Sequence, residues 1–336
     1  MLVPILFWVA ICIASSAVMA ASNLDKPYYD LDNAENLFKK FIKEYGKLYE
    51  GNDYFERLEI FKENLKDINR RNEKYSLAVF KVNRLADLKP EELHNTRSGY
   101  FKNFNENTNK VAFPPGTTAA PKSFDWRTHG KVTRVKDMGI RACYGCTYLF
   151  SATGNIEGQY AIKYNQTVSL SEEQALDCCF DNDGIFGGSP CNLMNDFARR
   201  TGIMLESDYP FVGERGYCHE DNAKVAVGVI EGFELDTMDE DVLKQNLYDI
   251  GPLSICFFDE DFFFYKEGIV EPDTCGNDYY YNPCALLVGY GEENGTDYWT
   301  LKFSYGPEWG EEGYGRLRRG INACGIGYYT YTATIA

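Results

Sequence analysis

Histidine is the scarcest chemistry-bearing residue of this chain, with three copies among 336 residues. Imidazole is the side chain whose charge changes most readily near neutral pH, so it is the usual general acid or base. Beyond residue 120 the chain holds only His129, which precedes Gly130, and His219, which follows Cys218. Both are predicted to be exposed loop residues. The sequence therefore offers few candidates for acid–base catalysis.

Positive charge is also in short supply. Lys and Arg total 34 against 50 Asp and Glu, which gives a formal net charge of −16 and a pI near 4.7. This balance argues against nucleic acid or an anionic membrane as a partner. Sequence motifs for calcium, nucleotide or phosphate binding are absent, so no cofactor and no metal is predicted.

Long hydrophobic runs are absent beyond the first twenty residues. Residues 2–19 are almost wholly apolar and end in Val18-Met19-Ala20, a small-residue pattern typical of signal-peptide cleavage. The run is short for a permanent membrane anchor. We therefore predict a signal peptide over residues 1–20 and no membrane partner. The predicted destination is the extracellular space, with a lysosome- or endosome-like compartment as the alternative.

Cysteine is plentiful by contrast. Eleven are present, and removal of Cys12 with the signal peptide leaves ten. An even number in an oxidising compartment favours disulfides. Asn165 and Asn294 each begin an Asn-x-Thr sequon, and both are predicted glycosylation sites.

The most informative stretch covers residues 139–154. Two cysteines and Gly145 crowd a loop, and apolar residues then follow at the spacing of a buried helix. Thr147 lies where a helix N-cap is expected, because its hydroxyl can accept a bond from an open backbone N–H. A cysteine at such a helix start forms a thiolate more easily, which suits a nucleophile.

Two helices are predicted after the signal peptide. Leu37, Phe41 and Tyr45 recur at helical spacing. A clearer apolar stripe follows, with steps of four and three, at Tyr54, Leu58, Phe61, Leu65 and Ile68. Residues 100–120 are rich in Asn, Thr, Pro and Gly and are predicted to be a linker.

Polar residues on the second helix carry a family resemblance. They resemble the interspersed Glu-Arg-Phe-Asn-Ile-Asn motif of cathepsin L-like propeptides, with Asp53 in place of the Glu and then Arg57, Phe61, Asn64, Ile68 and Asn72. Asn83 and Asp87 resemble the propeptide's short Gly-Asn-Phe-Asp motif, with Lys81 for the Gly and Leu85 for the Phe. The resemblance implies a small helical domain that lays a strand through a substrate cleft in reverse and keeps a zymogen silent.

The remainder of the chain resembles the papain-like cysteine peptidases. Residues 143–151 resemble the family's Cys-Gly-Ser-Cys-Trp-Ala-Phe-Ser segment, and further blocks match at 121–127, 170–178, 209–211, 251–254, 288–291, 298–310, 313–315 and 324–326. The implied fold class is α+β, a papain-like two-lobe fold with a helical lobe and a β-barrel-like lobe. Strands are expected at 253–255, 285–288 and 298–303. The implied domains are a signal peptide over 1–20, an inhibitory propeptide and linker over 21–120, and a papain-like domain over 121–336.

The resemblance assigns four catalytic positions, and none carries the family's residue. Counted back from the Phe-Ser pair, the nucleophile's place is taken by Thr147. Pro283 stands for the histidine and Phe303 for the asparagine that orients it. The oxyanion-stabilising glutamine falls on Met138, or on Arg141 if the count runs back from Thr147. A threonine hydroxyl is a poor nucleophile without a strong base, so loss of peptidase activity is expected.

A second register keeps a nucleophile. Cys143 and Cys146 have the family's Cys-x-x-Cys spacing, so Cys146 becomes the thiol if one residue is inserted after it. This register supplies no histidine. In the first register Tyr144 and Ile185 replace two cysteines that pair in the family, and their joint loss leaves no orphan thiol. The first register is therefore favoured.

The remaining cysteines are assigned by resemblance. Cys178 is implied to pair with Cys218, and Cys275 with Cys324. Two more cysteines fall in a specificity pocket and either bridge or remain as buried thiols. The other four are expected to form two bridges of open connectivity, with a zinc site as the alternative: Cys143, Cys146, Cys179 and Cys191. The positions implied to line the cleft are Gly187, Gly188, Ser189, Pro190, Cys256, Cys284, Tyr305, Trp309 and Tyr329.

These observations lead to a functional hypothesis. The chain is expected to be a secreted papain-family homologue made as a proprotein. It is not expected to be an enzyme, and it acts as a binding, decoy, structural or storage protein. Its expected partners are proteins or peptides in the former substrate cleft and its own propeptide. The alternatives are a divergent active thiol endopeptidase that uses Cys146, and an inhibitor of related peptidases through its propeptide.

Overall fold

The computed structural model describes residues 24–89, 92, 110–114, 116–139, 143–257, 262–272, 275 and 283–336. The predicted signal peptide and Arg141 lie outside the described residues. Among the residues described, none of the helices combines the length and the apolar character needed to cross a membrane.

The N-terminal part folds as the small helical unit that the sequence predicts. It contains α1 (Ala34–Glu44), α2 (Asn52–Lys74) and the short strand β1 (Ala78–Phe80). The apolar stripe of α2 is buried against Phe38 and Phe41 of α1. The polar motif residues hold the chain that returns along α2: the Asn72 side chain bonds the N–H and C=O of Phe80, and Asn64 donates to Ala86 O and Leu88 O.

The C-terminal part is a helical layer beside a large sheet. Its described helices are α3 (Thr147–Tyr164), α4 (Glu172–Cys178), α5 (Pro190–Arg199) and α6 (Glu240–Ile250). Its described strands are β2 (Phe124–Asp125), β3 (Ile203–Met204), β4 (Val225–Val227), β5 (Val229–Leu235), β6 (Leu253–Cys256), β7 (Tyr265–Val270), β8 (Cys284–Glu293), β9 (Thr296–Lys302), β10 (Tyr314–Arg318) and β11 (Tyr329–Ile335).

One sheet joins the two parts. Its strand order is β1-β7-β10-β9-β8-β6-β11-β5, with β2 paired to β8, while β3 and β4 form a separate pair. The propeptide strand β1 extends this sheet by antiparallel pairing with β7. The strands expected at 253–255, 285–288 and 298–303 lie in or overlap β6, β8 and β9, and β9 ends one residue before Phe303.

Helix α3 is buried on almost every side, and polar side chains fix its position on the sheet. Twelve of its eighteen residues are buried. Thr147, Ser151, Asn155 and Gln159 recur at every fourth residue and therefore share one face. We call this set the polar stripe. Each member bonds the sheet or its approaches: Cys284 N, Ala285 O, Pro252 O with Ala333 N, and Ile250 O.

The predicted linker is not free of the body where the structure describes it. Val111 forms a parallel bridge with Leu235 at the end of β5, and the N–H of Ala120 donates to Gln245 of α6. The linker prediction is therefore wrong for these residues. Composition suggested a loose segment because it contains few apolar residues, but its anchors are backbone hydrogen bonds, which composition does not show.

We expect Asn155→Ala to lower the free energy of unfolding by about 2–4 kcal/mol, because it leaves the Pro252 carbonyl and the Ala333 N–H buried without their partner. Denaturant unfolding measures the change. Gln166→Ala, at an exposed position just beyond the same helix, serves as the control and should stay within about 0.5 kcal/mol of the parent. Equal effects of the two substitutions would contradict this role of Asn155.

Candidate functional site

The start of α3 places Thr147 opposite β8. Thr147 is the first helical residue, with φ −53° and ψ −34°, and Cys146 is the N-cap without a side-chain capping bond. The prediction that Thr147 caps the helix is therefore wrong. Its hydroxyl instead accepts a hydrogen bond from Cys284 N at 3.0 Å. Thr147 is 6% exposed, so this bond satisfies a backbone donor inside the protein.

The position of the missing histidine lies directly across from this hydroxyl. Pro283 contributes the carbonyl half of the peptide bond whose N–H, on Cys284, reaches Thr147. Pro283 is buried, and its own carbonyl accepts from Phe257 N at 3.2 Å. Neither a proline ring nor a peptide group takes up a proton near neutral pH. The two chain segments thus meet at this point without a base between them.

The two available histidines lie in contacts of their own. His129 stacks on Phe124 with ring centroids 4.8 Å apart. His219 stacks on Tyr209 at 3.8 Å, and its Nδ1 lies 3.0 Å from Tyr217 O. Both are exposed, as predicted. Neither residue lines the cavity beside Phe303 described below.

The position of the orienting asparagine is the centre of an aromatic cluster. The Phe303 ring lies 4.7 Å from Trp309, 5.0 Å from Phe262, 5.5 Å from Tyr305 and 6.3 Å from Phe257, measured between centroids. Offset and tilted arrangements at these separations are favourable for aromatic pairs. All five rings are buried. Close apolar packing therefore occupies the place of an amide that would need a polar partner.

Met138 occupies the favoured position of the oxyanion glutamine. It is buried, its N–H donates to Ser304 O at 3.0 Å, and the Ser304 hydroxyl lies 3.5 Å from its sulfur. A thioether sulfur has no hydrogen to donate, so it cannot stabilise an oxyanion as an amide N–H does.

The cysteine of the second register is engaged. Cys146 is paired with Cys143, their Cα atoms 5.3 Å apart, and both are buried. Gly145 between them packs against backbone: a Cβ there would lie 2.4 Å from Ile185 O and 2.5 Å from Gly187 N. The loop 143–146 therefore fits tightly on the segment 184–187, and the sulfur of Cys146 is not a free thiolate.

Three cleft-lining positions come together on adjacent strands. Cys256 and Cys284 are register partners in β6 and β8 and form a disulfide, with Cα atoms 4.0 Å apart. Tyr329 is the register partner of Cys256 in β11. A bridge and a phenol thus occupy the pocket-lining positions.

The other cleft-lining positions fall into two groups. Gly187 and Gly188 follow the loop beneath Gly145, and Ser189 N donates to Asn182 Oδ1 at 2.8 Å just before Pro190 begins α5. Tyr305 and Trp309 belong to the aromatic cluster around Phe303.

The remaining cysteines agree in part with expectation. Disulfides join Cys178 to Cys218 and Cys275 to Cys324, as the resemblance implies. The expectation of two bridges among the other four cysteines is wrong, because Cys143 pairs with its neighbour in the loop and leaves two free thiols, Cys179 and Cys191. Burial raises the pKa of both thiols, that of Cys191 to about 11.

The zinc alternative finds no support among the described residues. The one cluster there with three potential ligands is Cys178, Cys218 and Glu220. Its two sulfurs are joined in a disulfide, and a metal ligand must be a thiolate. The cysteines proposed for zinc are not part of this cluster.

Buried charges lie behind the site. Lys136 Nζ is 2.8 Å from Glu172 Oε1 and 3.2 Å from Glu157 Oε1. Burial alone would lower the pKa of Lys136, but these carboxylates outweigh it and raise the pKa. Lys302 donates to Thr133 Oγ1 at 3.1 Å, and burial lowers its pKa to about 8. A cavity of about 20 Å³, enough for one water, touches both lysines, Cys284 and Phe303.

The propeptide covers the neighbouring face of the body. Beyond β1, Asn83 Nδ2 donates to Phe263 O at 2.7 Å. Arg84 forms a two-pronged ion pair with Asp137, one arm at 2.7 Å, and donates to Tyr305 O at 2.9 Å. Burial alone would raise the pKa of Asp137, but Arg84 and the Gly139 N–H lower it. Sequence reasoning missed this pair, although its two charges lie within the motif blocks 81–87 and 135–139.

We expect Lys302→Met to raise the free energy of unfolding by about 3 kcal/mol near pH 7, since a pKa of about 8 in the folded state against roughly 10.4 in the unfolded state is a cost of burying the charge. The parent regains this energy between the two pKa values, because the folded state loses its proton first. The difference in stability should therefore shrink from pH 8 towards pH 10.5.

Denaturant unfolding of parent and variant across that pH range measures the difference. Lys122→Met, at an exposed position, is the control and should show no such trend. A gap between parent and Lys302→Met that is constant with pH would contradict the burial argument.

Comparison with known proteins places this geometry in a family. Residues 120–334 match the family described as papain family cysteine protease, and residues 38–93 match the cathepsin propeptide inhibitor domain. The viral cathepsin of Heliothis zea nuclear polyhedrosis virus is 36% identical over 330 residues, covering 93% of this chain and 88% of the relative. That of Mamestra configurata nucleopolyhedrovirus is 36% identical over 328 residues, covering 96% and 95%.

Solved structures give the same assignment. The digestive procathepsin L 3 of Tenebrio molitor larval midgut superposes with a TM-score of 0.80 at 30% identity, covering 90% of this chain and 99% of that one. The recombinant stem bromelain precursor superposes with a TM-score of 0.79 at 27% identity and the same coverage. With two matched domains, full-length relatives and this fold, the chain belongs to the papain family of cysteine proteases and carries a cathepsin-type propeptide.

Proposed function

We propose that this chain is a secreted papain-family protein without peptidase activity, which acts by binding proteins or peptides in the former substrate cleft. The observation that carries the proposal is the engagement of Thr147. Its hydroxyl accepts the Cys284 N–H, and the residue opposite is Pro283 rather than a base. The relatives are named cathepsins, and this chain keeps their scaffold.

The chemistry of peptide hydrolysis explains why these replacements matter. Attack on an amide carbonyl needs a nucleophile whose proton has been removed, a group that protonates the leaving amine, and donors for the oxyanion. The hydroxyl of Thr147 is bonded to a backbone N–H, which is no base. Phe303 and Met138 supply neither an orienting amide nor a donor. Every role in the mechanism thus lacks its chemical group at the position that the family uses.

The divergent-thiol alternative has less support. It needs a free thiolate at Cys146, and this sulfur is paired with Cys143 and buried. It also needs an imidazole, and His129 and His219 stack on other rings.

The propeptide offers a second candidate function, inhibition of related peptidases in trans. The docking of Asn83 on Phe263 O and of Arg84 on Tyr305 O favours it, because both acceptors are backbone carbonyls. Contacts to backbone depend little on the side chains of the protein that is bound.

We expect purified protein, after its propeptide has been cut, to show no hydrolysis of fluorogenic peptides above the blank from acid to neutral pH. An epoxide that alkylates papain-type thiolates should add no mass to Cys146. A cathepsin L-like peptidase assayed in parallel is the positive control. Hydrolysis that disappears in Cys146→Ser, or an adduct mapped to Cys146, would overturn the proposal.

The role of Thr147 is tested by two substitutions. Thr147→Val keeps the shape but leaves the buried Cys284 N–H unpaired, so we expect a loss of about 1–2 kcal/mol in the free energy of unfolding. Thr147→Ser keeps the acceptor and should lose less than half as much. Peptide hydrolysis retained in Thr147→Ser and abolished in Thr147→Val would instead identify Thr147 as a nucleophile.

The binding role is tested by selecting extended peptides from a displayed library on the cut protein. Selected peptides should compete with a synthetic peptide of residues 77–84, the propeptide segment that docks on the body. Failure to enrich any peptide over Tyr329→Ala and unselected controls would count against the cleft as a binding site.

A further inference from the structure

The stretch that precedes the papain-like domain lies along the outer edge of the sheet. Val111 N donates to Glu234 O at 2.8 Å, and Val111 O accepts from Asp236 N at 3.2 Å. These bonds place residue 111 as a parallel neighbour of Leu235, at the end of β5. Because β5 is the last strand in the sheet order, this residue continues the sheet beyond its edge.

Side chains reinforce the attachment. Lys110 Nζ donates to Tyr328 O at 2.8 Å and lies 3.3 Å from the carboxylate of Glu234, which is buried. The Phe113 ring packs edge-on against Phe233 with centroids 6.2 Å apart. These contacts are to β5 or to the residue before β11, so they tie the segment to the body.

Helix α6 holds the second half of the stretch. Gly116 N donates to Asp249 Oδ2 at 2.8 Å, and a Cβ on Gly116 would lie 2.4 Å from Asp249 Oδ1. Gln245 accepts from Ala120 N at 2.9 Å and donates to Thr118 O at 3.0 Å. We call the two described pieces, residues 110–114 and 116–120, the strap.

We propose that proteolytic removal of the propeptide stops at or before Lys110, and that the strap stays on the body as part of the mature protein. An endopeptidase needs its substrate as an extended strand with free backbone groups, so a segment whose backbone is already bonded must first open. The backbone of Val111, Gly116, Thr118 and Ala120 is engaged in this way. The boundary near residue 120 that the resemblance implies falls inside the bonded region.

A retained strap also protects the body. A strand at the edge of a sheet offers unpaired donors and acceptors to other chains, and proteins commonly cover such edges. Here the cover comes from the same chain.

The test is limited proteolysis of the full chain with a cathepsin L-like peptidase and, separately, with pepsin. Intact mass and N-terminal sequencing identify the first residue of the shortest stable product. We expect it to begin at or before Lys110 with both enzymes. A parent product that begins at residues 119–122 from the first time point would overturn the proposal.

Variants show whether the strap contacts set this boundary. Lys110→Glu combined with Phe113→Ala, and separately Gln245→Ala, should raise the rate of cleavage within the strap about ten-fold. Lys122→Glu and Val242→Ala, at exposed positions outside these contacts, should leave it unchanged. Circular dichroism of the variants checks that they fold. A cleavage rate equal to that of the parent in the folded strap variants would also overturn the proposal.

Discussion

The polar stripe of α3 is the interaction on which the two layers of the body depend. A helix buried on nearly all sides has no single apolar face that fixes its rotation, so hydrogen bonds must do so. Thr147, Ser151, Asn155 and Gln159 supply them to the ends of β6, β8 and β11. The stripe also sets where the nucleophile's position lies, because Thr147 is its first member. The scaffold therefore holds its geometry whether or not the residue there can react.

The replaced site follows a consistent physical pattern. Active sites concentrate polar groups that are costly to bury and are tolerated for their function. Here Phe303 joins four other rings in close packing, and Pro283 precedes a peptide N–H that Thr147 satisfies. The buried charges of Lys136, Glu157 and Glu172 lie behind this surface. A polar interior thus stands next to an apolar site.

Much of the fold could be predicted from sequence, because α1 and α2 show clear periodicity and the motif blocks are specific. The four catalytic positions followed from the same blocks. Other features depend on separations in space. The pairing of Cys143 with Cys146 was left open because sequence spacing does not give Cα distances. The strap was missed because its anchors are isolated backbone bonds at Val111 and Ala120. Thr147 was misassigned as a cap because its hydroxyl found a partner on a distant strand.

The aromatic cluster around Phe303 has a consequence for the evolution of this chain. A return to the family's catalytic set requires changes at Met138, Thr147, Pro283 and Phe303 together, since no single reversal restores a complete site. Each early step would also lose something: an amide at position 303 breaks the contacts with Phe262 and Trp309. The intermediates are less stable and gain no catalysis. The packing therefore acts as a ratchet, which makes the divergence of this site easier to extend than to reverse.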